Sequence, residues 1–398
     1  MGADVCYMRG CDPLRRIAAL ALILLVATMT AGCWDALDID KRAFVSAMGL
    51  DSVDSDKGDR IQVTLIIPTL GGEGGGGAGG GGGGAGTPET MPARALVLEQ
   101  SGANVEEAVE KMRAMVGGVL DLSTLQYVAV GRGMNPNDLM SSMHTLHFTR
   151  FVPMTPLMFA TEEKVSDLFS VESPSGRGLT DTLDAIQTQS RIGWGHVHYP
   201  QSWEIMILLV NKTGDMTLTV IDRADQGDGL QAVGAAAYDG AECAGLIDPS
   251  DALMLYSVAH RKYPGGTYPF LHEGRELLMR ILGVRTSVKA YRGVNDVPRL
   301  TVDMRADATL MDSGGYRLPL LNRKKLDELE QTAARDMEAR LGRLLERLQG
   351  WNSDAMRLYH EVRVRMPEMS YEDFKEVYPR IKVDFNVSVL LVRTGLLR

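Results

Sequence analysis

Residues 300–310 read LTVDMRADATL, and apolar side chains occupy every second position of this stretch. Such alternation is typical of a β-strand with one buried face. Downstream, apolar residues recur at three- and four-residue steps through 322–349, which predicts a long amphipathic helix capped by Asn322 and ended by Gly350. Residues 381–392 alternate again and predict a closing strand. Because strands flank the helix on both sides, we expect it to pack on its own sheet rather than to form a coiled coil.

The N-terminal half of the chain carries the same mixture of patterns. Two strand-like runs, 43–51 and 61–67, flank a turn rich in Asp and Ser and predict a hairpin. Helical and strand-like segments then alternate, which predicts a mixed sheet with helices packed on it. These segments are 104–116 (helix), 125–130 (strand), 136–148 (helix), 155–160 (strand) and 162–169 (helix). The predicted fold class is therefore α/β, in the sense of mixed α+β.

The chain is long enough for two or three domains. A polar break after residue 222 predicts a boundary there, so that an N-terminal region of 33–222, holding a first and a middle domain, precedes a C-terminal region of 223–398. Glycine dominates the segment 71–86. This tract lacks the Lys-Ser or Lys-Thr pair of a phosphate-binding loop, so we interpret it as a disordered loop inside the first domain.

Charge and cysteine content narrow the functional class. The formal net charge of −9 argues against a nucleic-acid partner, because nucleic acids attract basic surfaces. The four cysteines are Cys6, Cys11, Cys33 and Cys243. The first two precede an apolar segment and are lost if that segment is cleaved, which leaves no disulfide framework. Cys243 lies among small residues and is interpreted as a buried apolar side chain rather than a reactive thiol.

The N-terminal sequence predicts where the protein is located. Arg15 and Arg16 precede the short apolar run 17–26, which is too short for a membrane-spanning helix and fits the core of a signal peptide. Small residues and then Cys33 follow, as at the cleavage site of a bacterial lipoprotein. We therefore expect residues 1–32 to be a lipoprotein signal peptide and Cys33 to be lipid-modified, which anchors the protein to the outer face of the cytoplasmic membrane. An ordinary signal peptide and an uncleaved anchor helix are the alternatives.

Motifs that carry catalysis or bind cofactors are missing from the sequence. It contains no His-Glu-x-x-His and no Gly-x-Ser-x-Gly motif. Two histidine pairs, His144 with His147 and His196 with His198, have spacings that suit a metal, but no cysteine or carboxylate cluster accompanies them. We therefore predict no enzyme activity, no catalytic residue, no cofactor and no metal site. Three aromatic residues, Trp194, Tyr199 and Trp203, are expected to pack in a core or interface rather than line a ligand cleft.

Several motifs, in order, resemble the Ger(x)C family of spore germination lipoproteins. Gly32-Cys33-Trp34-Asp35 and then Met48-Gly49-Leu50-Asp51 are similar to the start of the family's mature chain. Further matches are 104–115 to an early helix, 126–131 to an apolar strand, 234–246 to a hairpin that opens the C-terminal part, and 381–395 to the closing strand. Three features depart from the family: the glycine tract reads as an insertion, Tyr238 replaces a Phe, and a His is missing before the strand at Gln126.

The resemblance implies a C subunit of a nutrient germinant receptor. Such a subunit is a lipoprotein on the outer surface of the spore inner membrane, and its partners are the polytopic A- and B-type receptor subunits. The family fold is mixed α/β with three small domains, and neither catalysis nor a cofactor is attached to it. The implied function is non-enzymatic and needed for nutrient-triggered germination. The alternative is a lipid-anchored solute-binding protein that delivers a ligand to a membrane transporter.

Overall fold

The computed structural model describes most of the chain after residue 40. The described residues are 17–18, 20–22, 41–54, 58, 60–69, 94–149, 152–171, 173, 176–224, 229–293, 296–312 and 323–392. Contacts divide the chain into the unit Met1–Arg42 and the unit Ala43–Arg398. In the first unit, residues 17–18 and 20–22 are helical. Across the described positions, no helix is both long and apolar enough to span a bilayer.

The strands form two larger sheets. Their bounds are β1 (Arg42–Phe44), β2 (Ala47–Ser52), β3 (Ile61–Thr69), β4 (Arg94–Gly102), β5 (Val119–Asp121), β6 (Tyr127–Gly131), β7 (Leu157–Thr161), β8 (Thr217–Arg223), β9 (Leu230–Asp239), β10 (Glu242–Ile247), β11 (Lys262–Tyr263), β12 (Thr267–His272), β13 (Arg275–Arg292), β14 (Pro298–Asp312) and β15 (Lys382–Leu391).

The helices cover these sheets. Their bounds are α1 (Val105–Arg113), α2 (Pro136–Phe148), α3 (Val165–Phe169), α4 (Leu179–Ile192), α5 (Ser202–Asn211), α6 (Pro249–Ala259), α7 (Arg323–Gly350), α8 (Tyr359–Arg365) and α9 (Tyr371–Val377). The predicted fold class, a mixed α+β protein with helices packed on several sheets, is confirmed.

The first sheet has eight strands in the order β10-β9-β8-β7-β6-β2-β3-β4. The predicted hairpin of 43–51 and 61–67 is the antiparallel pair β2–β3, and the pairs β2–β6, β6–β7 and β7–β8 are parallel. Side chains on one face pack with α1, α2 and α5, whereas those on the other face pack with α3 and α4. The central strands β2 and β6 are therefore buried on both faces, which explains their continuous apolar sequence.

The second sheet contains the sequence elements with the strongest periodicity. Its strand order is β11-β13-β14-β15, and β12 pairs with β13. The strands β14 and β15 are parallel, and α7 makes the crossover that such a pair requires. The buried face of α7 shares one core with β13, β14 and β15, so the helix packs on its own sheet as predicted. Asn322, the predicted cap, lies outside the described residues, and α7 begins at Arg323.

The two sheets are joined by the helix α6, which is buried over most of its length. All residues of α6 from Ala252 to Ala259 are buried, and they pack with the second sheet and with Ala235 and Ala237 of β9. The neighbouring residues of β9, Ala236 and Tyr238, face the core of the first sheet. The hairpin β9–β10 therefore belongs to the first sheet although it follows the polar break at 222–229, because β9 pairs with β8 along its length.

Candidate functional site

The predicted lipid-modification site is not among the residues that the structure describes. Cys33 and the whole glycine tract of 71–86 lie outside them, so both interpretations stay predictions. Cys243, in β10, is free and half-buried, and burial raises the pKa of its thiol. A raised pKa keeps the thiol protonated near neutral pH, in keeping with the expected unreactive side chain.

The histidines are distributed over separate elements. His147 Nδ1 hydrogen-bonds the Met143 carbonyl at 2.9 Å, whereas the ring of His144 stacks on Phe148. The ring of His198 lies against that of His260, with ring centroids 4.1 Å apart and the ring planes tilted by 52°. Within the described ranges, no group of three His, Cys, Asp or Glu side chains has the geometry to hold a metal ion.

The pair of His198 and His260 is buried beside positive charge. Burial, with a smaller effect of the nearby Arg357, lowers the pKa of His198 to about 4. Burial, with smaller effects of His198 and Arg357, lowers the pKa of His260 to about 2. Neither Nε2 atom has a hydrogen-bond partner within the described parts of the chain. Both rings are therefore neutral in the folded protein at pH 5, whereas the unfolded chain protonates them below pH ~6.5.

The pair makes folding sensitive to acid. Because the unfolded state binds protons that the folded state does not, each ring reduces the free energy of unfolding by about 2 kcal/mol at pH 5. We expect His260→Phe to make the loss of stability between pH 7 and pH 5 about 2 kcal/mol smaller than in the wild type, as measured by urea denaturation. His144→Phe, at an exposed position, is the control and should leave the loss unchanged. An equal loss in His260→Phe and wild type would contradict this assignment.

A buried charge cluster ties the first sheet to the segment after α7. Asp215, which is 2% exposed, accepts hydrogen bonds from Lys375 Nζ and the Asp354 backbone N–H, both at 2.7 Å. Lys375 Nζ also lies 2.7 Å from an oxygen of Asp239, at the end of β9. The ammonium group of α9 therefore neutralises two carboxylates of the first sheet, and the cluster fixes this segment against it.

Asp354 completes the buried cluster. It is 0% exposed, and its two carboxylate oxygens accept the backbone N–H groups of Leu358 and Tyr359 at 2.8 and 2.9 Å. Burial, with a smaller effect of the nearby Asp215, raises the pKa of Asp354 to about 7 against the lowering effect of these hydrogen bonds. Ionising this carboxyl costs stability as the pH rises from about 4 to about 7, opposite in sign to the histidine pair.

Glycines allow the backbone before α5 to cross closely over the backbone before β12. A Cβ atom on Gly195 would lie 2.0 Å from the Gly265 carbonyl oxygen, and one on Gly266 would lie 2.2 Å from the Trp194 carbonyl oxygen. The crossing is held by the Thr267 N–H, which donates to the Gly193 carbonyl at 2.8 Å. The chain before α5 therefore contacts β12 through its backbone, without intervening side chains.

A cleft of about 350 Å³ opens between α5 and the segment that contains α8. It is the candidate ligand site of the described molecule. Apolar and charged side chains line it together: Trp203, Glu204, Ile207, Leu208, Thr213, Ala259, Arg261, Arg357, His360 and Glu361. Tyr199, which is 3% exposed, packs in a core, whereas Trp203, which is 40% exposed and lines the cleft, and the exposed Trp194 do not; their expected place in an interface stays a prediction.

Two arginines of the cleft were not indicated by any sequence motif. Arg261 donates to the Val258 carbonyl at 2.6 Å and the Arg357 carbonyl at 3.1 Å, and it lies 3.5 Å from the Glu361 carboxylate. Arg357 has a buried Nε atom without a partner in the described residues. Both arginines have positive φ angles, 59° and 55°, which place them at sharp turns. The cleft lining also holds Glu204 and Glu361, so two carboxylates balance the charges of the two arginines.

Comparison with known proteins gives family matches over most of the chain. Residues 35–223 match the sequence model described as the spore germination protein N-terminal domain, and residues 234–395 match the model described as spore germination B3/GerAC-like, C-terminal. A solved structure, the crystal structure of the GerBC protein, is similar at a TM-score of 0.53 over 87% of this chain and 97% of that chain, with 13% identity. No curated protein matches the sequence.

Proposed function

The chain belongs to the GerAC-like family of spore germination proteins, and from this premise we propose that it is a lipid-anchored, non-enzymatic subunit of a membrane germinant receptor, needed for nutrient-triggered germination. The observation that carries the proposal is the succession of two family models, N-terminal and then C-terminal, along almost the whole length after Cys33. The fold likeness to the GerBC protein supports the same architecture.

The lipid anchor is proposed at Cys33. The family match begins at residue 35, so a lipid on Cys33 would be joined directly to the start of the conserved domain. A diacylglyceryl group together with an N-acyl chain provides stable membrane attachment, whereas one chain alone binds weakly and reversibly. The protein would then work on the outer face of the cytoplasmic membrane, which is the inner membrane of the spore.

The proposed partners are the polytopic A- and B-type receptor subunits. A lipid anchor keeps the folded unit beside the bilayer, where the association with membrane-embedded partners needs only lateral diffusion. The effective concentration of such partners is raised in the same way as for two linked binding modules. The solute-binding alternative is not favoured, because both matched models are those of spore germination proteins.

Deletion of this chain tests the proposed function. We expect spores without it to lose the optical-density decrease that follows the addition of at least one nutrient mixture. A wild-type copy at a second chromosomal site should restore the response, whereas a Cys33→Ser copy should not, because it cannot be acylated. Germination of the deletion spores at the wild-type rate with every nutrient tested would contradict the proposal.

A further inference from the structure

A second groove, of about 690 Å³, lies on the outer face of the second sheet, opposite the face that packs on α6 and α7. Three cationic side chains line it: Lys262 of β11, Arg285 of β13 and Arg305 of β14. The strand register places Lys262 directly opposite Arg285, and Arg285 directly opposite Arg305. Because directly opposite residues of antiparallel strands have Cβ atoms about 4.5–5.5 Å apart, the three cations form one row across the sheet.

The charges in this row are not balanced. Asp307, the acidic residue of the groove lining, is paired with Arg305, whose Nε lies 3.4 Å from a carboxylate oxygen. Within the residues that the structure describes, neither Lys262 nor Arg285 forms an ion pair or donates a side-chain hydrogen bond, and both are exposed. Like charges directly opposite one another destabilise a sheet. Three cations against one carboxylate leave two positive charges in excess, although the formal net charge of the chain is −9.

The carboxylates that lie nearest along the same face are engaged elsewhere. Asp303, two residues before Arg305 on β14, lies 3.0 Å from Lys289 Nζ and accepts a hydrogen bond from Asn386 at 2.8 Å. Asp384 of β15 lies 2.8 Å from the guanidinium group of Arg299. Neither carboxylate is available to the row of cations, so the excess positive charge of the groove is open to an external anion.

Apolar side chains form the other walls of the groove. The register of β13 with β14 shifts between Ile281 and Gly283, which leaves Leu282 without an opposite residue. Such a bulge changes the direction of a side chain, and Leu282 is 48% exposed. Val392, which is 42% exposed, follows β15, and its N–H donates to the Ala308 carbonyl at 2.8 Å. Two exposed apolar side chains beside a row of cations suit a ligand with an anionic head and an apolar substituent.

The charge of the groove defines the chemistry of its ligand. A guanidinium group binds phosphate oxygens through two parallel N–H bonds, and a phosphate monoester carries about 1.5–2 negative charges at pH 7. This charge matches the two unpaired cations, Lys262 and Arg285, whereas a monocarboxylate would neutralise only one of them.

We propose that the groove binds a phosphate monoester that carries an apolar substituent. The phosphate group lies on Lys262 and Arg285, and the apolar substituent lies on Leu282 and Val392. The same chemistry is found in the headgroup of a phosphatidate lipid and in a soluble phosphate ester. This inference does not depend on the proposed receptor function.

Calorimetric titration of the purified full chain in dodecyl maltoside tests the site, with hexyl phosphate as the probe. We expect saturable binding of one hexyl phosphate per chain. Inorganic phosphate, which lacks the apolar part, and hexanol, which lacks the charge, should each bind at least tenfold more weakly. Arg285→Gln should weaken the binding of hexyl phosphate at least tenfold. Arg299→Gln, on the same face of the sheet but paired with Asp384, is the matched control and should bind within twofold of wild type.

Titration with dihexanoyl phosphatidate distinguishes the two sources of the ligand. This short-chain lipid carries the same phosphate monoester on a diacylglycerol. Binding that is tighter than that of hexyl phosphate supports the proposal with a lipid headgroup as the ligand, whereas weaker binding supports it with a soluble ester. If neither compound binds saturably, the proposal is overturned.

A thermal melt separates a binding role of Arg285 from a purely structural one. We expect Arg285→Gln to melt at or above the wild-type temperature, because the substitution removes the repulsion between directly opposite cations. Hexyl phosphate should raise the melting temperature of the wild type but not that of the variant. The proposal is also overturned if hexyl phosphate binds no more tightly than hexanol, if Arg285→Gln binds it as tightly as wild type, or if this variant melts several degrees lower.

Discussion

Cys33→Ser is expected to abolish fatty-acid labelling of this protein completely. The thiolate of a cysteine is the nucleophile that accepts the diacylglyceryl group, and a serine hydroxyl is far less nucleophilic at neutral pH. Without acylation the signal peptide is not removed, so the variant should keep residues 1–32, which the wild type loses. In-gel detection of a clickable fatty acid, together with intact-mass measurement, reads both effects.

The other cysteine of the mature chain supplies the control for this experiment. Cys243→Ser should be labelled as strongly as wild type, because Cys243 is half-buried in β10 and the pKa of its thiol is raised. Unchanged labelling of Cys33→Ser, or lost labelling of Cys243→Ser with normal processing, would show that Cys33 is not the acceptor.

Lys375→Met is expected to lower the free energy of unfolding by about 3–5 kcal/mol, the largest stability effect among the single substitutions considered. Lys375 neutralises the buried Asp215 and the nearby Asp239, each at 2.7 Å. Methionine has a similar length but no charge, so the substitution leaves the carboxylate of Asp215 buried without a cation. Urea denaturation followed by tryptophan fluorescence measures the change. Trp351, which packs against the core of the second sheet, is one reporter.

Lys289→Met is the matched control for the buried cluster. Lys289 pairs with Asp303 at 3.0 Å on the surface of the second sheet, and both side chains are exposed. Exposed pairs of this kind contribute about 0–1 kcal/mol, so the control should change stability by less than about 1 kcal/mol. Equal effects of the two substitutions would mean that the cluster around Asp215 does not join the first sheet to the segment after α7.

The sequence predicts those elements whose apolar periodicity is uninterrupted. The strand β14, the helix α7 and the strand β15 lie within one or two residues of their expected bounds, because one face of each packs on the same core. Asn104 and Asn135 cap the helices that were expected to follow them, through side-chain oxygens that accept backbone N–H groups. These features depend on local chemistry, so they can be predicted from the sequence alone.

The strand β13 and the helix α5 could not be predicted from the sequence, each for a physical reason. In β13 the buried positions alternate through Leu277, Met279 and Ile281, but a shift in strand register near Gly283 moves the alternation by one residue. This bulge breaks the period that would indicate a strand. The helix α5 is apolar on nearly every face, including the exposed Trp203, so its sequence lacks the periodicity of an amphipathic helix.

The candidate cleft and the buried charge cluster could not be predicted, because tertiary folding brings their parts together. Lys375 and Asp215 are 160 positions apart in the chain, and Arg357 and Trp203 are similarly remote. Each is an ordinary residue within its own segment, and no motif links any two of them. Only the packing of the segment after α7 against the first sheet brings the two members of each pair together.

Crosslinking in intact spores, followed by mass spectrometry of the joined peptides, tests most directly whether this chain works as a membrane receptor subunit. The proposed function predicts that peptides of residues 43–392 are joined to peptides of polytopic germinant receptor subunits in wild-type spores and are absent from Cys33→Ser spores. Crosslinks confined to soluble proteins or to the components of a transporter would contradict it.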